Sequence, residues 1–265
     1  MDIEAAVRSA DLDGALAAAQ DRVRADPTAP APRVLLFQLL AVLGQWDRAL
    51  LQLKALAELD ASLLPLAWTY RSAIQAERIR DKVFRGEAVP PVLGEPAQWT
   101  ALLLEALKYT ATGRTEEGAA LRRQAFEAAP ATPGRIDGQP FSWIADADSR
   151  IGPMLELVVQ GRYVWAPFER VSALTIEPPT DLRDLVWTPV HVVWVNEGET
   201  EALLPARYVG TEHLEDRALA LSRKTVWEPC GEQCYLGYGQ RMWVTDRDEY
   251  PVLDAREIRL ETAGA

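Results

Sequence analysis

The chain changes grammar at one short stretch, Ala129-Pro130-Ala131-Thr132-Pro133-Gly134. Two prolines and a closing glycine stop a helix there, because proline lacks the amide proton and restricts the residue before it. Up to about Pro130, Ala and Leu recur at helical spacing; beyond it Trp, Val and Pro rise, and six of the nine tryptophans lie past residue 140. Charge divides at the same point. Residues 1–133 carry 15 basic and 17 acidic side chains, net −2, and residues 134–265 carry 13 and 22, net −9. The pattern predicts an α+β chain in two parts, a helical domain over 1–133 and a mostly antiparallel, β-rich domain over 138–261.

The helical part repeats. Ala15-Leu16 recurs as Ala49-Leu50, and Asp13 and Asp26 map to Asp47 and Asp60 at the same offset. A looser third copy, Gly118-Ala119-Ala120-Leu121, closes at Pro130 as the first closes at Pro27. That offset is the tetratricopeptide period, one helix pair every ~34 residues. Each pair buries its apolar face only by stacking on the next. The large residue early in the first helix of that signature, and the Gly and Tyr after it, are missing here. The expectation is therefore tetratricopeptide-like. Between the second and third copies a longer helix is predicted over Leu63–Arg85. A break at Pro90-Pro91 and Gly94 follows, then a helix over Ala97–Thr112 with Pro96 in its first turn.

The second part reads as strands. Leu155–Val159 and Arg162–Trp165 flank Gln160-Gly161 as a hairpin. Val171–Ile176 is a strand closed by Pro178-Pro179, and Asp181 caps a short helix over Leu182–Trp187. Val190–Val195 is apolar on both faces and is expected to be central and covered. Asn196–Glu199 turns into a strand over Thr200–Leu204, and a final pair is predicted at Tyr235–Thr245 and Val252–Leu260.

Composition narrows the partners. A net charge of −11 repels phosphate backbones and anionic lipid, so neither nucleic acid nor membrane is expected. The start, Met-Asp-Ile-Glu, lacks a basic segment with an apolar stretch behind it, and the uncharged run Val34–Trp46 is too short to span a bilayer. Two cysteines, Cys230 and Cys234, exclude a disulfide framework and make a reducing cytoplasm the default.

Candidate chemistry centres on Phe141-Ser-Trp-Ile-Ala-Asp-Ala-Asp-Ser-Arg-Ile-Gly-Pro153. Asp146 and Asp148 have the Asp-x-Asp spacing that divalent-metal transferases use, which opens one reading as a metal-dependent enzyme. No glycine-rich phosphate loop follows a strand, and Gly237-Tyr238-Gly239 is a lone GxG. The competing reading is a turn tied by both aspartates and Arg150. Phe141, Trp143 and Ile144 then anchor the β domain against the repeats. Zinc needs four ligands, and the chain offers two cysteines with three residues between them and two histidines, His213 and His191. His191, inside the central strand, reads as a hydrogen-bonded core residue. There is no G-x-S-x-G or H-E-x-x-H motif. Trp143, Trp165, Trp187, Trp194, Trp227 and Trp243 spread over many strands, as core aromatics do.

Five segments in order resemble the ImpE/SciE family, also called TagJ, an accessory component of bacterial type VI secretion systems. They are Trp143–Pro153, Gly161-Arg-Tyr-Val-Trp-Ala-Pro167, Glu177-Pro-Pro-Thr-Asp-Leu-Arg-Asp-Leu-Val-Trp187, Leu204-Pro-Ala-Arg-Tyr208 and Gly239-Gln-Arg-Met242. The resemblance implies a non-enzymatic cytoplasmic adaptor with no cofactor or metal. It implies binding to the small subunit of the contractile sheath, through a helical segment of that subunit, and a link to the AAA+ ATPase that disassembles contracted sheaths. It brings no catalytic residues. Its motif residues, Trp143, Asp146, Asp148, Arg150, Gly152, Pro153, Trp165, Pro178, Pro179, Arg183, Asp184, Trp187, Arg207 and Tyr208, are expected to be structural.

Overall fold

The computed structural model describes residues 2–95, 97–231 and 233–262. Helices come first: α1 (Ile3–Arg8), α2 (Leu12–Ala25), α3 (Pro30–Val42), α4 (Trp46–Leu59), α5 (Leu64–Phe84), α6 (Gln98–Ala111) and α7 (Thr115–Ala128). Their starts follow local chemistry. Asp11 caps α2 by accepting from the Gly14 amide at 2.9 Å, and prolines occupy the first turns of α3 and α5, where no amide proton is needed. The helices predicted at Leu63–Arg85 and Ala97–Thr112 are α5 and α6; Pro96, assigned to the first turn of the second, lies outside the described residues.

After α7 the chain turns to strands: β1 (Gly134–Ile136), β2 (Gln139–Phe141), β3 (Ile144–Asp146), β4 (Met154–Val159), β5 (Arg162–Pro167), β6 (Val171–Ile176), β7 (Trp187–Trp194) and β8 (Glu199–Pro205). A short helix, α8 (Arg217–Ala220), precedes β9 (Thr225–Pro229), β10 (Tyr235–Gly239), β11 (Met242–Thr245), β12 (Glu249–Pro251) and β13 (Glu257–Leu260). Eight strands form one antiparallel sheet in the order β2-β1-β13-β6-β7-β8-β4-β5. A smaller sheet, β12-β11-β3, packs on it through Ile144 and Trp243 against Leu157, Val164, Val190 and Ile258. At the β5 end the other face meets the helices. Met154, Tyr163 and Trp165 pack there with Val83, Phe84, Trp99 and Leu103. The β5 edge is closed by chain rather than solvent, because the Trp165 amide donates to Pro91 and the Leu93 amide to Trp165, each at 2.8 Å.

The two parts share their cores. Trp187, Ala220 and Leu221 belong to the apolar cluster of α2–α5, and the rings of Trp46 and Tyr70 lie 5.7 and 5.9 Å from Trp187.

Several local expectations change. Asp181 does open a turn, but the helix is a 3₁₀ segment, Leu182–Leu185, and Trp187 already belongs to β7. Strand β7 is central, yet only the face of Thr188, Val190 and Val192 is fully covered, while His191 keeps its ring 35% exposed. The predicted strand Tyr235–Thr245 splits into β10 and β11, which lie in different sheets. Gly239, at φ 90°, and the inward-turned Arg241 break it. Strand β13 pairs with β1 and β6 instead. Strand β1 opens at Gly134, inside the stretch read as linker. Phe141 and Ile144 are buried, but within the apolar cluster of the β domain rather than against the helices, their expected place, and Trp143 is 38% exposed.

Candidate functional site

Helix α5 carries the centre of the molecule on one stripe. Ala73, Glu77, Arg80 and Phe84 recur at helical spacing and are all buried, so two charged groups sit where apolar ones are the rule. They are tolerated because the sheet brings partners. Glu156 lies on β4 between Met154 and Val158, and strand alternation points all three at α5. Arg80 donates to both oxygens of Glu156, Nε at 2.9 Å and Nη2 at 3.2 Å, and Nη2 also reaches the Arg207 carbonyl at 3.0 Å. Arg241 and the Tyr163 hydroxyl donate to the same carboxylate, and the Trp165 indole donates to Tyr163 at 2.6 Å. Glu77 accepts from the Trp187 indole at 2.9 Å and pairs with Arg80 at 3.4 Å.

The network continues into the Asp-x-Asp segment. Arg241 donates to Asp146 Oδ2 at 2.9 Å; Asp146 Oδ1 accepts from the Asp148 amide at 2.9 Å and the Tyr208 hydroxyl at 3.0 Å. Asp148 accepts from the Arg150 amide and guanidinium and from the Gly237 amide, all within 3.1 Å. Asp146 is 3% exposed and Asp148 is 0% exposed. Every carboxylate oxygen of the pair therefore already accepts from at least one protein donor. Among the described residues no group of three His, Cys, Asp or Glu side chains is placed to hold a metal ion.

Burial and charge pull these groups apart. Burial pushes the Asp146 carboxyl up to about 7 although Arg241 opposes it. Burial also acts to raise Glu156, but Arg80 and Arg241 outweigh it and hold that carboxyl at about 2. Burial raises Glu77, Tyr163 and Tyr208. The consequences for stability have opposite signs. Between about pH 2 and 4.5 the unfolded chain binds the Glu156 proton more readily, so stability rises with pH. Between 3.8 and about 7 the folded chain holds the Asp146 proton more tightly, so its contribution falls as pH rises. From pH 4 to 7 the thermal midpoint of the parent is expected to fall relative to that of Asp146→Asn; a constant difference between the two would contradict this.

The remaining motif residues fasten the same joint. Arg207 donates to the carbonyls of Val42 at 2.6 Å, Ala41 at 3.2 Å and Ala220 at 3.0 Å, so one guanidinium closes the C-terminus of α3. Asp184 accepts from the amides of Thr180 and Asp181, and Asp181 accepts from Gln38 of α3 at 3.1 Å. Arg183 pairs with Asp181 at 2.5 Å and lies over the Tyr70 ring. Gly152, at φ 55°, presses on α7, since a Cβ there would enter the ring of Phe126. The Pro153 carbonyl accepts from Phe168 at 3.2 Å, and Trp165 is fully buried. Pro178 and Pro179 are exposed on the loop before Asp181, and Trp143 lines an apolar crevice with Phe126 and Pro153.

Known proteins resemble the chain over the part that holds these segments. Residues 138–259 match the model of the family described as ImpE protein. The Pseudomonas aeruginosa protein named type VI secretion system accessory component TagJ is 50% identical over 262 residues, covering 99% of this chain and 92% of that protein. The chain belongs to the ImpE/TagJ family. The crystal structure of VPA1032 from Vibrio parahaemolyticus, 26% identical, superposes with a TM-score of 0.90 over 99% of this chain and 98% of that one.

Outside the network, this ImpE-family chain places both histidines toward the surface. The ring of His191 hydrogen-bonds Glu201 at 2.8 Å on the open face of the sheet, which corrects the core assignment, and His213 is exposed. Cys230 and Cys234 form one disulfide across the β9–β10 turn, with Cα atoms 5.0 Å apart, a pairing that the reducing setting expected from the cysteine count does not predict. Trp165, Trp187 and Trp243 are core, while Trp143 and Trp227 are partly exposed. Among the described residues no helix is long and apolar enough to cross a membrane.

Three of the exposed apolar side chains gather elsewhere. Leu51 is 63% exposed, Leu64 51% and Trp68 62%, and all three line an open groove between α4 and α5. On α5 the groove stripe (Leu64, Trp68, Arg71, Gln75, Arg78) lies two residues out of phase with the buried stripe, about 200° around the helix. One helix thus faces the ionic network with one side and the groove with the other.

Proposed function

We propose that this chain is a non-enzymatic, cytoplasmic adaptor of a type VI secretion system. It binds a helical segment of the small contractile-sheath subunit and links that subunit to the AAA+ ATPase of sheath disassembly. The observation that carries this reading is the open groove between α4 and α5, whose exposed apolar side chains suit the face of a docked helix. The 50% identical relative, named as an accessory component of that secretion system, supports the setting.

A tetratricopeptide-like character of the helical domain, about 1–133, is part of the proposal. Helices α2 and α4 begin at Leu12 and Trp46, and α3, α5 and α6 begin at Pro30, Leu64 and Gln98. Every one of these steps has the same length, and it equals the tetratricopeptide period. The family-motif residues of the β domain, about 138–261, then serve structure: they hold α3 and α5 so that the groove has a rigid floor. The protein donors on Asp146 and Asp148 support this over a metal-dependent enzyme.

Size-exclusion chromatography of the full chain with the purified small sheath subunit tests the reading. Co-elution is expected, and it should vanish when the helical segment is deleted from the subunit. Separate elution at tens of micromolar, with both proteins folded, would remove the proposal.

A further inference from the structure

We propose that the α4–α5 groove selects an acidic amphipathic helix of about four turns, with Trp68 as its main apolar anchor near the Leu64 end. The inference rests on the adaptor reading and adds the chemistry of the ligand. Length comes from α5. At about 1.5 Å of rise per residue, Leu64 to Arg78 makes the groove roughly 21 Å long and matches a helix of about 14 residues. Trp68 stands within that span and is 62% exposed, the arrangement of an aromatic anchor awaiting a partner.

Charge decides the sign of the ligand. The protein as a whole carries −11, yet the groove is lined by Lys54, Arg71 and Arg78, with Glu58 in the lining and Asp47 paired to Arg78 as the acids that face them. Two of these cations have only exposed partners: Lys54 meets Glu58 at 3.9 Å and Arg78 meets Asp47 at 2.5 Å. Such solvent-exposed pairs are weak and exchange readily for a ligand carboxylate. Arg71 makes no salt bridge among the described residues. A basic trough on an acidic surface attracts acidic helices and repels basic ones, and the repulsion contributes as much to selectivity as the attraction. The helix that fits presents apolar residues at i, i+3 or i+4 and i+7 to Leu51, Leu64 and Trp68, with Asp or Glu flanking that stripe.

The test uses the full chain and fluorescein-labelled synthetic peptides that tile the small sheath subunit, read by anisotropy. The tightest peptide is expected to carry net negative charge and to bind more weakly as salt rises. Trp68→Ala should weaken it at least tenfold. Arg71→Glu should weaken it about tenfold, and a peptide with its flanking acids changed to Lys should regain affinity for that variant. Both positions are exposed, and melting curves verify that the variants fold. Peptide binding indifferent to both substitutions, or a tightest peptide that is basic, overturns the groove assignment while leaving the adaptor reading intact. If no peptide binds the parent protein, the adaptor reading fails and this inference with it.

Discussion

Glu156→Gln is expected to destabilise the folded protein by about 3–5 kcal/mol, the usual consequence of removing one partner from a buried ion pair. The substitution keeps the shape and removes the charge. Arg80 and Arg241, both fully buried, then lose the carboxylate they share and keep one acidic partner each, Glu77 and Asp146. A loss of that size is a large fraction of the stability of an ordinary domain. Because Arg80 sits on α5 and Glu156 on β4, the helical and sheet signals should shift together. Guanidinium unfolding followed by far-UV circular dichroism and by tryptophan fluorescence measures both. Transitions that separate, or a loss below about 1 kcal/mol, would show that the network does not couple the halves.

Arg207→Ala is expected to cost about 2–7 kcal/mol, the sum of two orphaned acceptors and a lost terminal charge. The Ala41 carbonyl keeps the Gly44 amide as a donor, but among the described residues those of Val42 and Ala220 have the guanidinium alone. A buried acceptor left without a donor costs about 1–3 kcal/mol. The positive charge at the end of α3 is lost as well. Arg207→Lys restores the charge without the planar fork and should fall between the two. Amide exchange at residues 41–45 should accelerate in Arg207→Ala before the rest of the chain opens; uniform exchange across the molecule would contradict a local capping role.

What the sequence disclosed was mostly local. The α5 and α6 helices and the β4–β5 hairpin follow from periodicity and the Gln160-Gly161 turn, signals contained within a few residues. What it hid was long-range. Strand β13 finds β1 and β6, both far earlier in the chain, and nothing within Glu257–Leu260 encodes that register. Arg241 shows the same limit from the other side. It stands in the family segment Gly239–Met242, and as a charge in an apolar stretch it reads as exposed until Asp146 and Glu156 arrive from distant chain. A signal for the network did exist. Glu77 and Arg80 fall on the apolar stripe of α5, and Glu156 interrupts the apolar run of β4. Charges at such positions require buried partners of opposite sign. The Asp-x-Asp segment could be read as metal-binding or as a tied turn because residue types cannot show where the donors are. In the fold, Tyr208, Arg241, Arg150 and Gly237 already donate to the oxygens that a metal would need.

The measurement that bears most directly on the central claim is a calorimetric titration of the small sheath subunit's helical segment into the folded, full-length protein. The account predicts a one-to-one complex of micromolar affinity, with most of the heat lost in Trp68→Ala. Absence of heat up to several hundred micromolar, with the protein's cooperative melting transition intact, would contradict it.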